Sequence, residues 1–122
     1  MRETKAILSA VSALEQVQAD LAQISSRTDE RRRHDLIDLR RKLALHIAEV
    51  GRVAEPWFGE ADAELAQTYR AKFSRMRSAA AMHQANWPAV RLDQADEEYR
   101  RSVLAVRDAN RDFVAWIRET LR

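Results

Sequence analysis

A chain of 122 residues with a formal net charge of +2 has room for one domain and a single sizeable core. It contains no cysteine, two glycines and two prolines, and 33% of its residues are charged. That composition excludes disulfides, thiolate metal sites and cysteine nucleophiles, and it argues against both a turn-rich β fold and a disordered chain.

The first segment, about 3–25, carries Ile7, Val11, Leu14, Val17, Leu21 and Ile24. Steps of three and four place these side chains on one helix face. The stretch is interrupted by Ser9, Ser12, Glu15 and Gln16, unlike the continuous apolar core of a signal peptide. No apolar run approaches the roughly 20 residues of a membrane span. No membrane partner is therefore expected, and the cytoplasm is the default location.

Ser26 and Asp29 stand at the spacing of a capping box, which predicts a stop and a fresh helix start. The second segment, about 28–55, carries Leu36, Leu39, Leu43, His46, Val50, Val53 and Trp57. Gly51 weakens it locally, by about 1 kcal/mol against alanine. Pro56-Trp57-Phe58-Gly59 reads as the second break. The acids Glu60, Asp62 and Glu64 then complement the dipole of a third segment, about 60–86.

That third segment carries Leu65, Tyr69, Phe73, Met76, Ala80, His83 and Trp87. Pro88 pushes Trp87 out of the helical region and ends it. Asp93 and Asp96 can cap a fourth segment, about 93–121, with Tyr99, Val103, Val106, Asn110, Phe113, Ile117 and Leu121. Four segments of similar length with short connections predict an all-α, single-domain, up-down-up-down four-helix bundle.

The basic residues are nearly all arginine, with clusters at Arg31-Arg32-Arg33 and Arg40-Arg41-Lys42. Asp29, Glu30, Asp35 and Asp38 sit among them. A nucleic-acid footprint needs net positive potential over a face. The clusters read instead as a solvated face laced with ion pairs, and no nucleic-acid partner is expected.

Polar residues interrupt the stripes at His46, His83 and Asn110. Counted from the turns, His46 and His83 are offset by about 18 Å along the bundle, and so are His83 and Asn110. His46 and Asn110 fall at similar heights, which predicts an internal polar contact between them. A buried asparagine of this kind often fixes helix register. His34 lies among charges and is expected to be exposed. Met76, Met82 and the tryptophans are expected to be packing residues.

The run Leu39-Arg40-Arg41-Lys42-Leu43-Ala44-Leu45-His46-Ile47-Ala48, with Pro56 following, resembles the second helix of bacterial hemerythrin-like (HHE) domains. Phe73, the run His83-Gln84-Ala85-Asn86-Trp87 and the aromatic end from Phe113 to Leu121 are similar to that family's layout. The resemblance implies a four-helix bundle around a non-haem di-iron centre held by histidines and carboxylates. It also implies a glutamate four residues after the helix-two histidine, where this chain has Val50. Glu49 points about 100° away. Residue by residue, only His46 carries over, whereas a di-iron site needs about half a dozen converging ligands. The expectation is therefore no metal, no cofactor and no oxygen binding.

No glycine-rich phosphate loop and no HExxH helix occurs in the sequence. The leading expectation is a non-enzymatic hemerythrin-like bundle without a di-iron site, acting through protein contacts or a small ligand. Trp116, beside Ile117, offers a self-association face. Paired helices with spare Trp and Leu can extend a bundle, so the expected partner is a second copy, forming a homodimer, or another protein. The alternative is a metal- or ligand-binding bundle centred on His46, with Glu49 and Asn110. A third reading is a histidine phosphotransfer domain. That chemistry needs an exposed histidine followed by lysine and glycine, and His46 is followed by Ile47, Ala48 and Glu49.

Overall fold

The computed structural model describes residues 2–24, 27, 29–89 and 97–122. They form four helices: α1 (Arg2–Ile24), α2 (Arg32–Gly59), α3 (Ala63–Asn86) and α4 (Glu97–Thr120). The chain is an all-α four-helix bundle. Each helix packs on its neighbours in sequence, and α4 closes against α1. The contacts are uneven. α1 against α2 and α3 against α4 are the intimate pairs, while α2 against α3 and α1 against α4 meet more loosely. Two antiparallel hairpins are thus laid side by side.

The helix ends follow local chemistry. Asp62 stays extended and its Oδ1 accepts a hydrogen bond of 2.9 Å from the Leu65 amide, capping α3. Trp87, held off helical geometry by Pro88, has φ −128° and ψ 69° and closes α3. At the start of α2, Arg31 provides no side-chain cap. Arg27 grips Asp29 at 2.6 Å and Asp35 at 2.8 Å instead, bringing the preceding residues onto the first turn. The Arg27 guanidinium holds the Asp29 carboxyl down to about 2. The capping roles expected of Ser26, Asp93 and Asp96 lie outside the described residues.

Pro56 does not end α2. The helix begins at Arg32 rather than near 28 and runs through Pro56 to Gly59. The last turn is held by packing. Phe58 is fully buried, stacked on Tyr69 with ring centroids 4.6 Å apart and flanked by Trp57 and Trp116. Burying that aromatic outweighs one missing amide, because Pro56 itself faces solvent.

The apolar stripes are buried largely where the spacing puts them. On α2 the buried line runs through Leu36, Leu43, Ile47, Val50, Ala54 and Phe58, so His46, Val53 and Trp57 sit half-buried at its flank. The core has two parts. The larger gathers Ile7, Val11 and Leu14 of α1, Val50 and Phe58 of α2, Tyr69 and Met76 of α3, and Phe113 and Ile117 of α4. The smaller, at the opposite end, is built on Ile24 and Leu36 with Trp87 and Tyr99 packed against them. Among the described residues no helix is long and apolar enough to cross a membrane.

Candidate functional site

A cavity of about 740 Å³ opens along the loose α1–α4 seam, in contact with both parts of the core. Its lining runs along α4 from Tyr99 to Arg118 and along α1 from Glu15 to Ala22. Leu36, Arg40 and Leu43 contribute from α2, and Ala80, His83 and Gln84 from α3. Small side chains make the space. Ala19, Ala22, Ala80 and Ala115 stand where larger residues would close the seam. Leu21, Val103, Val106 and Val114 give it apolar walls.

Polar groups enter this cavity at three depths. Asn110 is 4% exposed, and its Oδ1 is buried without a hydrogen-bond partner. Gln18 Nε2 is likewise buried and unpartnered. Both residues line the cavity, and each keeps one polar atom enclosed behind its surface with its hydrogen-bonding capacity unmet within the chain, which is costly in a dry interior.

Toward the smaller core lie Arg40, His83 and Tyr99. Burial pushes the Arg40 guanidinium below its ordinary range, and the neighbouring Tyr99 partly offsets this. His83 stacks on Tyr99 with centroids 5.6 Å apart, and its Nδ1 shares a hydrogen bond of 2.6 Å with Ser102 Oγ. Burial, helped by the charge of Arg40, holds the His83 imidazole down to about 4, so the ring is neutral at pH 7. At the far end Arg118 donates to both Glu15 oxygens, at 2.8 and 3.0 Å, and bridges α4 to α1.

Of the expected site residues, His83 and Asn110 line the cavity, and His46 and Glu49 do not. Among the described residues no hydrogen bond joins His46 to Asn110. Their helices, α2 and α4, are not a closely packed pair, so similar height does not bring them together. Glu49 is bound by Arg52 at 2.6 and 2.9 Å, which keeps its carboxyl below the usual range. Val50, on the His46 face, is fully buried. Among the described residues no three histidine or acidic side chains group as metal ligands would. The donor set around His46 does not fit a di-iron centre. His34 is exposed, Met76 is buried and Met82 is exposed. Trp116 is partly buried against Phe58.

Sequence reasoning missed Arg40 and Gln18, and both had left a signal. Leu36, Arg40 and Leu43 share a face at steps of four and three, as do Leu14, Gln18 and Leu21. Arg40 was masked by its charged neighbours Arg41 and Lys42. No protein-family model, no curated protein and no solved structure matches the chain.

Proposed function

We propose that this protein is a non-enzymatic, cytoplasmic helical bundle of hemerythrin-like descent, without a di-iron site, that works by holding a small ligand in the α1–α4 cavity. The observation that carries the reading is Asn110. Asn110 is 96% buried, its Oδ1 has no partner within the chain, and the residue lines a cavity of ligand size, where a turn of its amide would meet a donor from outside the chain. The volume of about 740 Å³ falls inside the range of roughly 300–1,000 Å³ typical of small-molecule sites. Apolar walls with a few polar groups are the usual makeup of such a site.

The hydrogen-bonded pair of Ser102 and His83 supports a structural rather than a catalytic role. His83 is a weak base with its pKa near 4, and Ser102 does not line the cavity. Phosphotransfer at His46 is disfavoured by Glu49, a carboxylate three residues on that would repel a phosphoryl group.

The test is a thermal-shift screen of small amphiphiles against the wild type and a Val106→Trp variant, in which the indole obstructs the middle of the cavity. Compounds that raise the wild-type melting temperature and leave the variant unmoved support the reading. Hits that shift both proteins equally, or no hits with sedimentation showing a homodimer across this seam, would instead make the seam a protein-contact surface.

A further inference from the structure

We infer that the occupant of the cavity is an anionic amphiphile, with its carboxylate set against Arg40 and its apolar body laid along α1 and α4. The inference rests on the ligand reading above and names the ligand's class.

Charge comes first. The described cations lining the cavity are Arg40, Arg107, Arg111 and Arg118, against the single acid Glu15. Glu15 is already satisfied by Arg118 through two hydrogen bonds. Among the described lining residues, Arg40, Arg107 and Arg111 are then left without an acid to match them. Arg40 is the inner cation of the set: Arg107, Arg111 and Arg118 are exposed and Arg40 is half-buried. Among the described residues no carboxylate pairs with it. Among the described residues, the neutral His83 ring and the Tyr99 phenol interact with it electrostatically. A guanidinium withdrawn from water with no carboxylate partner among the described residues is matched best by a carboxylate that arrives with a ligand.

Shape comes second. Leu36 and Leu43 flank Arg40 on its own helix face, and Leu21, Val103, Val106 and Val114 continue the wall. From Tyr99 to Arg118 the lining follows about 28 Å of α4 at helical rise. A compact inorganic anion would use the charge and leave those walls wet. An uncharged hydrocarbon would use the walls and leave Arg40 unpaired. Gln18 and Asn110 line the same space, and a turn of each side-chain amide would bring the enclosed Gln18 Nε2 donor and Asn110 Oδ1 acceptor to its surface. A hydroxyl or secondary amide in the ligand's body offers both complements.

The experiment is isothermal titration of the full chain with decanoate, decanol and decyltrimethylammonium, which share one alkyl chain and differ in head charge. Decanoate is expected to bind one per chain, about tenfold or more tighter than decanol, as a charge-assisted hydrogen bond implies. The cationic homologue is expected not to bind. Arg40→Gln is expected to bring decanoate down to the level of decanol and to leave decanol unchanged. Arg40→Lys, which retains the charge should the glutamine variant not fold, is expected to keep part of the preference. Arg107→Gln with Arg111→Gln is expected to weaken decanoate binding, but by less than Arg40→Gln does, because exposed charges are screened. Equal binding of decanoate and decanol, or a decanoate affinity untouched by Arg40→Gln, overturns the anion assignment and leaves the ligand reading standing. Absence of binding by all three overturns both.

Discussion

His83 Nδ1 and Ser102 Oγ lie 2.6 Å apart and tie α3 to α4 beside the cavity. The imidazole is neutral there, with a pKa near 4 against an ordinary 6.5, because burial and then Arg40 disfavour its charged form. Between those two values the unfolded chain binds a proton that the folded chain refuses. Stability is therefore full above about pH 6.5 and falls as pH drops toward 4. Solvent half-reaches the ring, so the loss between about pH 7 and 5 is set on the order of 1 kcal/mol. Glu15 and Glu49, held low by Arg118 and Arg52, add their own loss only below the ordinary carboxylate range. Urea unfolding of the wild type and of His83→Gln at both pH values checks this, and an equal slope in the two proteins would sink it.

Tyr69 presents the opposite balance. It is 1% exposed, stacked on Phe58, and its hydroxyl is buried without a partner. Burial pushes the phenol up to about 12. Removing an unsatisfied hydroxyl while keeping the ring is neutral or favourable. Tyr69→Phe is expected to raise stability by up to about 1 kcal/mol, whereas Tyr69→Ala is expected to cost about 3–5 kcal/mol as other buried aromatics do. Denaturant midpoints of the two variants should move in opposite directions.

The helices and their buried faces were legible because bulk hydrophobicity is periodic. Ile7, Val11 and Leu14, or Phe113 and Ile117, repeat at three and four and are fully buried. Pro56 was misread because local propensity speaks before packing does: nothing near it in the chain announces that Phe58 will be enclosed by Tyr69 and Trp116. The cavity was illegible for a related reason. It is made by what is missing, alanines on three helices, and by Arg40, whose place on the Leu36–Leu43 face is hidden among charges. Pairing Asn110 with His46 relied on height alone, and height does not say which helices are neighbours.

Because α2 continues through Pro56, the carbonyl of Arg52 loses its usual donor four residues on. Pro56 is exposed, so its ring adds little packing to offset that loss. Pro56→Ala is expected to stabilise the bundle by on the order of 1 kcal/mol, less than a mid-helix proline costs because the helix ends three residues later. A lower melting temperature for this variant would mean that the ring fixes the exit of α2 instead.

Gly51 marks a close approach of α2 to α3. A Cβ built there would meet Phe73 Cζ at 3.2 Å. Phe73 is half-buried and stacks on Tyr69, so it can yield by a few tenths of an ångström but not by a whole side chain. For Gly51→Ala the gain in helix propensity, about 1 kcal/mol, roughly cancels the crowding. The expected net change is within about 0.5 kcal/mol, while Gly51→Leu is expected to cost about 2 kcal/mol or more. Guanidinium unfolding of both variants reads the difference.

Asn110 separates a residue kept for folding from one kept for a ligand. A register-fixing asparagine needs a partner across the helix interface, and its Oδ1 has none. With nothing bound, Asn110→Leu replaces an unmet buried acceptor by a side chain of similar size and is expected to raise stability by about 1–2 kcal/mol. Asn110→Ala removes the amide but enlarges the cavity, so it is expected to gain less, or to lose. Unfolding of protein freed of bound small molecules, for instance by refolding from denaturant over a hydrophobic resin, gives both values. A leucine variant that is less stable than the wild type by 1 kcal/mol or more would mean that the asparagine serves the fold, and the cavity would lose its strongest claim to an occupant.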